Sequence, residues 1–322
     1  MGAGQPGRER GACGRQEAGR DHRRPGRRLG SACWPQADDR RPGAVRRLRR
    51  GHPRHGDRHV MMIVDTHCHA SHNWFEPVET LAHVMEMDQV DHALLLQHRG
   101  TYNADYLFEC CDRFPGRFKA AVQIDPNGDD QVGALAYEAE RGAGGVRLYT
   151  DDNGAPQQPK LWKAAGELGV AVSGQGTFEG FLTDGYRALI ASVPDTQVVI
   201  EHFGNAGHGH KPPYEKYRRL MELAELPNTT MKLHGLGEIA DRPDILLPDY
   251  RIENIPPFVE LAVEAFGPKR LMWGSDFPPS AGREGYHNAL EGIRSHPALS
   301  GGEDAEEVMG RTAARVFGFG SG

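Results

Sequence analysis

Eight short apolar runs recur along residues 61–322, and each is followed by a stretch with helical periodicity. The runs lie at 62–65, 93–97, 119–124, 145–149, 170–174, 197–201, 230–233 and 270–273. Helical patterns follow at 77–88, 103–114, 129–141, 159–168, 184–192, 214–225, 255–266 and 284–295, with a last one at 304–317 that would close the chain. Run starts are spaced by roughly 25 to 40 residues, the length of one βα unit. Such alternation is the pattern of strands and helices around a parallel sheet. Eight units in this length match a (β/α)8 TIM barrel, which takes about 250 residues. An open doubly wound sheet competes less well, because a His-x-His follows the first run where that fold would carry a Gly-rich phosphate turn.

In a barrel of this kind the active site lies at the carboxyl ends of the strands. The residues expected there are His67 and His69, then Gln97, His98 and Arg99, then Gln123 and Asp125, then Arg147 and Tyr149. Later strand ends carry Gln175, Glu201 with His202, His234, and Ser275 with Asp276. Ionisable groups at so many apolar strand ends point to chemistry. Positions i and i+2 of an extended chain face one way, so His67 and His69 can offer two imidazoles to one point, the geometry of half a metal site.

Each residue also has a plainer reading. His202 could be a core histidine satisfied by a carbonyl, and Asp276 could cap the turn before its proline. Arg147 and Tyr149 share one face of the fourth run; the guanidinium suits either a substrate anion or a neighbouring carboxylate inside the barrel. Arg99 is a second candidate for the anion. His208 and His210 read as a solvated Gly-rich loop, and Cys110 with Cys111 as helix packing.

The first sixty residues differ in kind. They hold 16 Arg, no Lys and six acidic residues, a net charge of +10, whereas the remainder of a chain of net −6 carries −16. An Arg/Gly/Pro-rich segment with no periodic apolar residues cannot offset its ordering entropy, so residues 1–60 are expected to be disordered. A nucleic-acid arm, a transit peptide and a start codon assigned too early compete for this segment. Scattered acidic residues oppose the second, lack of interleaved aromatics opposes the first, and Met61 with Met62 before the first run favours the third. Residues 61–322 are expected to carry fold and activity alone. Five cysteines without metal or disulfide spacing fit a reducing cytoplasm. No apolar run of about 18 residues indicates a membrane span, and the acidic body argues against nucleic-acid binding by the folded domain.

Taken together, Ile63-Val-Asp-Thr-His-Cys-His, Gly145-Val-Arg-Leu-Tyr, Val199-Ile-Glu-His-Phe-Gly, Met231-Lys-Leu-His-Gly-Leu and Leu271-Met-Trp-Gly-Ser-Asp-Phe-Pro resemble the amidohydrolase superfamily, in its amidohydrolase-related branch. The resemblance covers nearly all of 61–322. It implies a TIM barrel, a small-molecule substrate and a lactonase or a non-oxidative decarboxylase activity; barrels of this kind often pair into homo-oligomers. It also implies that His67, His69 and Asp276 hold a divalent zinc or manganese ion and that His202 is the strand-six histidine. Two positions depart from the branch: Thr312 stands where many relatives carry Asn, and Gln175 where the decarboxylases carry a ligating histidine. An amide oxygen is a poor zinc ligand, so a metal-bound and a metal-free site both stay open, and the weight moves toward a lactonase.

The expected reaction is hydrolysis of a cyclic ester of a sugar acid or an aromatic-degradation product. Asp276 takes a proton from water, and Arg147 with His202 or the metal stabilises the oxyanion, each preset donor contributing about 3 kcal/mol. Arg99, Tyr149, Gln175 and His234 are the expected substrate contacts. The alternative is metal-dependent decarboxylation or C–C hydrolysis of an aromatic or muconate-type acid.

Overall fold

The structure, a computed structural model, describes residues 61–246, 252–299 and 301–320; the readings made for residues 1–60 lie outside the described residues. Eight strands, β1 (Val64–Cys68), β2 (His92–Leu96), β3 (Phe118–Val122), β4 (Gly145–Tyr149), β5 (Ala171–Gln175), β6 (Val198–Ile200), β7 (Thr229–Leu233) and β8 (Leu271–Trp273), pair in that order. Every pairing is parallel. Thr66 Oγ1 donates to the Trp273 carbonyl at 2.6 Å and the Asp276 amide to the His67 carbonyl at 2.7 Å, which stitches the first strand to the last. The expected (β/α)8 barrel is the observed fold. Among the described residues no helix is long and apolar enough to cross a membrane.

The first strand runs further than its apolar pattern. Its end was expected at Asp65, yet it continues through His67 to Cys68. Ladder pairing with β2 slips between Asp65 and Cys68, and within that slip the Asp65 carboxylate takes up the His67 amide. That carboxylate accepts from the His67 amide at 3.1 Å, the Ser275 amide at 2.9 Å and the Ser275 hydroxyl at 2.6 Å. A bulge of this sort re-aims the side chains beyond it, and those side chains are His67 and His69.

Two apolar layers fill the molecule. One lies between strands and helices. The other fills the lower barrel, where Val64, Leu94, Leu96, Ala121, Ala171, Val199 and Met272 meet Ala313, Phe317 and Phe319 of the C-terminal segment. That segment contains the expected last helix, which is Gly302–Glu306 and Thr312–Phe317 joined by a π-helical turn at Glu307–Arg311.

Gly274, the residue after β8, passes close against the first strand. A Cβ there would lie 2.7 Å from His67 Cβ and 3.0 Å from the His67 amide. Neither atom is the free end of a side chain, so Gly274→Ala should force the β1–β8 seam apart at a cost of about 1–3 kcal/mol. The expected result is a lower thermal midpoint together with a disproportionate loss of turnover; a variant matching the parent in both would contradict this packing account.

Candidate active site

His67 sits at the centre of the strand ends, fully buried. Its ring centroid is 5.1 Å from that of His69, 4.5 Å from His202 and 4.7 Å from His234. His69 Nδ1 lies 2.8 Å from the Leu96 carbonyl oxygen. A carbonyl can only accept, so Nδ1 carries the proton and Nε2 keeps a lone pair. This Nε2 faces Asp276 Oδ1 at 3.9 Å, and His67 Nε2 faces the same oxygen at 3.8 Å. The other carboxylate oxygen, Oδ2, accepts from Arg283 Nη1 at 2.8 Å. Asp276 thus divides its two oxygens between a guanidinium and a pair of imidazoles. It is 6% exposed, and burial raises its pKa although His202 and Arg283 pull the other way.

His202 and His234 lie with ring centroids 3.9 Å apart, tilted at 39° to each other. Glu238, in the short turn Leu236–Glu238 after β7, accepts from His202 Nδ1 at 2.6 Å. Its second oxygen comes within 3.2 Å of His234 Nδ1 but without hydrogen-bond geometry. Burial works against a charge on His202, yet the Glu238 pair with Asp276 and Glu201 leaves its pKa raised. Burial holds His67 and His234 well below the usual imidazole value, and His69 at about 3, so these three rings are neutral and can donate lone pairs.

The chain leaves β6 in an uncommon way. His202, Phe203, Gly204 and Asn205 all have positive φ, at 54°, 51°, 69° and 55°. Four consecutive left-handed residues cost about 1–2 kcal/mol for each that is not glycine. Three of the four are residue types that tolerate this region best, His, Gly and Asn. At Gly204 a Cβ would also lie 2.3 Å from Leu220 Cδ2, so any other residue here would have to displace the Leu220 side chain as well as adopt positive φ.

Beneath the imidazoles lies a buried polar layer. Glu201 accepts from Arg147 Nε at 3.1 Å and from Nη2 at 2.8 Å, and from Ser173 Oγ at 2.6 Å. Lys232 Nζ in turn donates to Ser173 Oγ at 3.0 Å. Of the two readings of Arg147, the structure shows the neighbouring carboxylate. Burial resists ionisation of Glu201, but Arg147 and Lys232 hold its pKa at about 2. Lys232 is pushed down to about 8 by burial, with Glu201 opposing.

Other strand-end residues divide by use. Arg99 lies 4.9 Å above the Tyr149 ring, and both line a cavity of about 480 Å³ with Arg147, Gln175 and Asn205. The Tyr149 hydroxyl is buried and unpartnered among the described residues. Phe75 stacks between His69 at 5.0 Å and His98 at 4.6 Å. The Gln123 backbone amide donates to Gln97 Oε1 at 2.7 Å and Gln123 Nε2 to the Gln97 carbonyl at 2.6 Å, while Gln97 Nε2 has no hydrogen-bond partner among the described residues, and Asp125 closes a turn on Asn127. Ser275 holds Asp65. His208 turns away to Asp241 at 3.0 Å, outside the cluster. Glu238, Arg283 and Lys232 were missed in the sequence; only Lys232 had a signal, its place two residues before His234 on an alternating strand.

The donors suit a divalent cation. His67, His69 and Asp276 form one triad and His67, His202 and His234 another, each with ligand atoms within 4.8 Å of one another. Both ring nitrogens of His67 are buried without a hydrogen-bond partner among the described residues. Lone pairs and a carboxylate oxygen facing each other across 3.8 to 3.9 Å repel unless a cation or a proton donor stands between them. Two imidazoles and a carboxylate match the preferences of zinc and manganese.

Among curated proteins, the chain is 26% identical over 178 residues to 4-sulfomuconolactone hydrolase of Hydrogenophaga intermedia, a match covering 53% of the chain and 55% of that protein. It is 32% identical over 143 residues to L-fucono-1,5-lactonase of Burkholderia multivorans, covering 39% of the chain and 47% of that protein. The chain therefore spans about half the length of these relatives. A solved amidohydrolase from Burkholderia multivorans with bound zinc superposes with a TM-score of 0.65 at 19% identity, covering 80% of this chain and 99% of that one. With the family profile described as Amidohydrolase matching residues 64–319, nearly the whole barrel, the chain belongs to the amidohydrolase family.

Proposed function

We propose that this enzyme opens a lactone by water attack, with Asp276 as the base. The divided carboxylate of Asp276 carries the reading. Arg283 fixes Oδ2, so Oδ1 is held at a set place beside His67 and His69. Burial raises its pKa toward neutrality, where a carboxylate base works best. Water gives its proton to Asp276 as its oxygen adds to the ester carbonyl carbon. His202, whose protonation is favoured by its pairing with Glu238, supports the carbonyl oxygen as negative charge grows there. The ring C–O bond then breaks, and the departing alkoxide takes a proton from His202 or Asp276 to give a hydroxy acid.

Arg147 acts through its field, because one edge of its fork is committed to Glu201. Arg99, Tyr149 and His234 are the proposed substrate contacts. A zinc or manganese ion held by His67, His69 and Asp276 would polarise the carbonyl and acidify water. The similarity to two proteins named for lactone substrates supports this reading.

A pH-indicator screen of sugar lactones, muconolactones and pyrone carboxylates tests it. Ring opening of at least one lactone is expected; CO2 release from an aromatic or muconate acid, with every lactone untouched, would overturn it in favour of decarboxylation. Chelator treatment is expected to lower turnover and the thermal midpoint together, with zinc or manganese restoring both. Turnover that is insensitive to chelator would leave the side chains as the whole catalytic apparatus.

A further inference from the structure

We propose that Gln175 and Asn205 form a positioning pair, which holds the left-handed turn His202–Asn205 and so aims the His202 imidazole into the cluster. Gln175 ends β5, at the place where a ligating histidine was expected by resemblance. Its Oε1 accepts from the Gly176 amide at 2.8 Å and also from Asn205 Nδ2. Asn205 Nδ2 donates in addition to the Gly176 carbonyl at 2.6 Å. Both lone pairs of the Gln175 oxygen are therefore occupied, so it is not a free ligand for a cation.

The same contacts give the turn an external anchor. Left-handed residues other than glycine revert to the right-handed or extended regions unless their surroundings hold them. The first residue of this turn follows Glu201, locked by Arg147 and Ser173, and the last is Asn205. Inside it, the Gly204 amide donates to the Glu201 carbonyl at 2.8 Å. Chain direction is thus fixed at both ends, by a buried ion pair before the turn and by the Gln175–Asn205 contact at its close. Without the second, the backbone can relax about φ of residues 202 to 205, and the His202 ring swings away from His234 and Glu238. Asn fits its position for two reasons, since it tolerates positive φ and supplies the donor. Gln175 is on this account a positioning residue that acts through His202.

The inference rests on the proposed function only in giving His202 a catalytic role, and the test separates the two. Gln175→Ala removes the acceptor. Asn205→Gly removes the donor while keeping a residue at ease with positive φ, which guards against simple misfolding. Gln175→Glu keeps an acceptor oxygen. For both disrupting variants we expect kcat to fall about 10- to 100-fold, KM to change little, and zinc and manganese content to stay at the parental level. Gln175→Glu is expected to recover most of kcat. Crystal structures of Asn205→Gly should show the His202 ring displaced from its place against His234. Loss of metal in Gln175→Ala but not in Asn205→Gly would make Gln175 a ligand and overturn the proposal. So would an undisplaced His202 ring with parental kcat. If the parent opens no lactone, the proposed function falls, and the position of the His202 ring alone decides the pair.

Discussion

Asp276→Asn is expected to lower kcat by about 10²–10⁴-fold, the usual contribution of a positioned base, while the thermal midpoint measured in chelator stays near that of the chelator-treated parent. The substitution keeps size and shape, so the turn and the amide bond to the His67 carbonyl survive. Its chemistry is lost in either orientation. With the amide oxygen toward Arg283, the nitrogen donates toward the lone pair of His69 and no base remains. With the orientation reversed, two donors face each other at the 2.8 Å distance now held by Arg283 Nη1 and Oδ2. A negative charge is also removed from the triad with His67 and His69, so bound zinc or manganese should decrease in parallel. Near-normal turnover on the best lactone of the screen would remove Asp276 from the mechanism.

Arg147→Ala is expected to act mainly on stability. Glu201 is fully buried, and Arg147 supplies the closest countercharge. Breaking a buried pair by removing one partner leaves an uncompensated charge and typically costs about 3–5 kcal/mol. For a domain of this size that is a fall in thermal midpoint of roughly 6–20 °C. The pH dependence adds a second signature. Glu201 has a folded pKa of about 2, below its ordinary value of 4.5, so its contribution is complete above 4.5 and is lost as pH falls from there toward 2. Removing Arg147 raises that folded pKa, and acid unfolding should begin at higher pH in the variant. An unchanged acid limb would mean that Lys232 and Ser173 suffice to hold the charge.

How far the sequence could be read depended on whether a feature is local. Apolar runs and helical periods mark each βα unit from its own residues, which is why the eight strands, and the histidines and aspartate at their ends, were visible. The bulge that extends β1 to Cys68 was not, since it depends on Asp65 meeting Ser275 across 210 positions. Glu238 and Arg283 escaped for a similar reason: each comes from a loop, and its importance lies only in the partner it reaches. Arg147 was correctly placed on its strand, but the choice between substrate anion and internal carboxylate needed the position of Glu201. The left-handed turn did leave a trace, as His-Phe-Gly-Asn contains three residue types that favour positive φ; the trace becomes specific only beside the Gln175 contact.

The seam between the first and last strands has a consequence for synthesis. Thr66 and Trp273 are bonded across 207 positions, and Ala313, Phe317 and Phe319 plug the barrel floor. A ribosome delivers His67 early and Asp276 late, and the plug emerges later still. Until then the lower barrel is open to water, the Arg147–Glu201 pair lacks its dry surroundings, and the histidines have no aspartate opposite them. The side-chain cluster can therefore form only after Phe319 has left the exit tunnel, so nascent chains halted before the plug are expected to be inert however many βα units they contain.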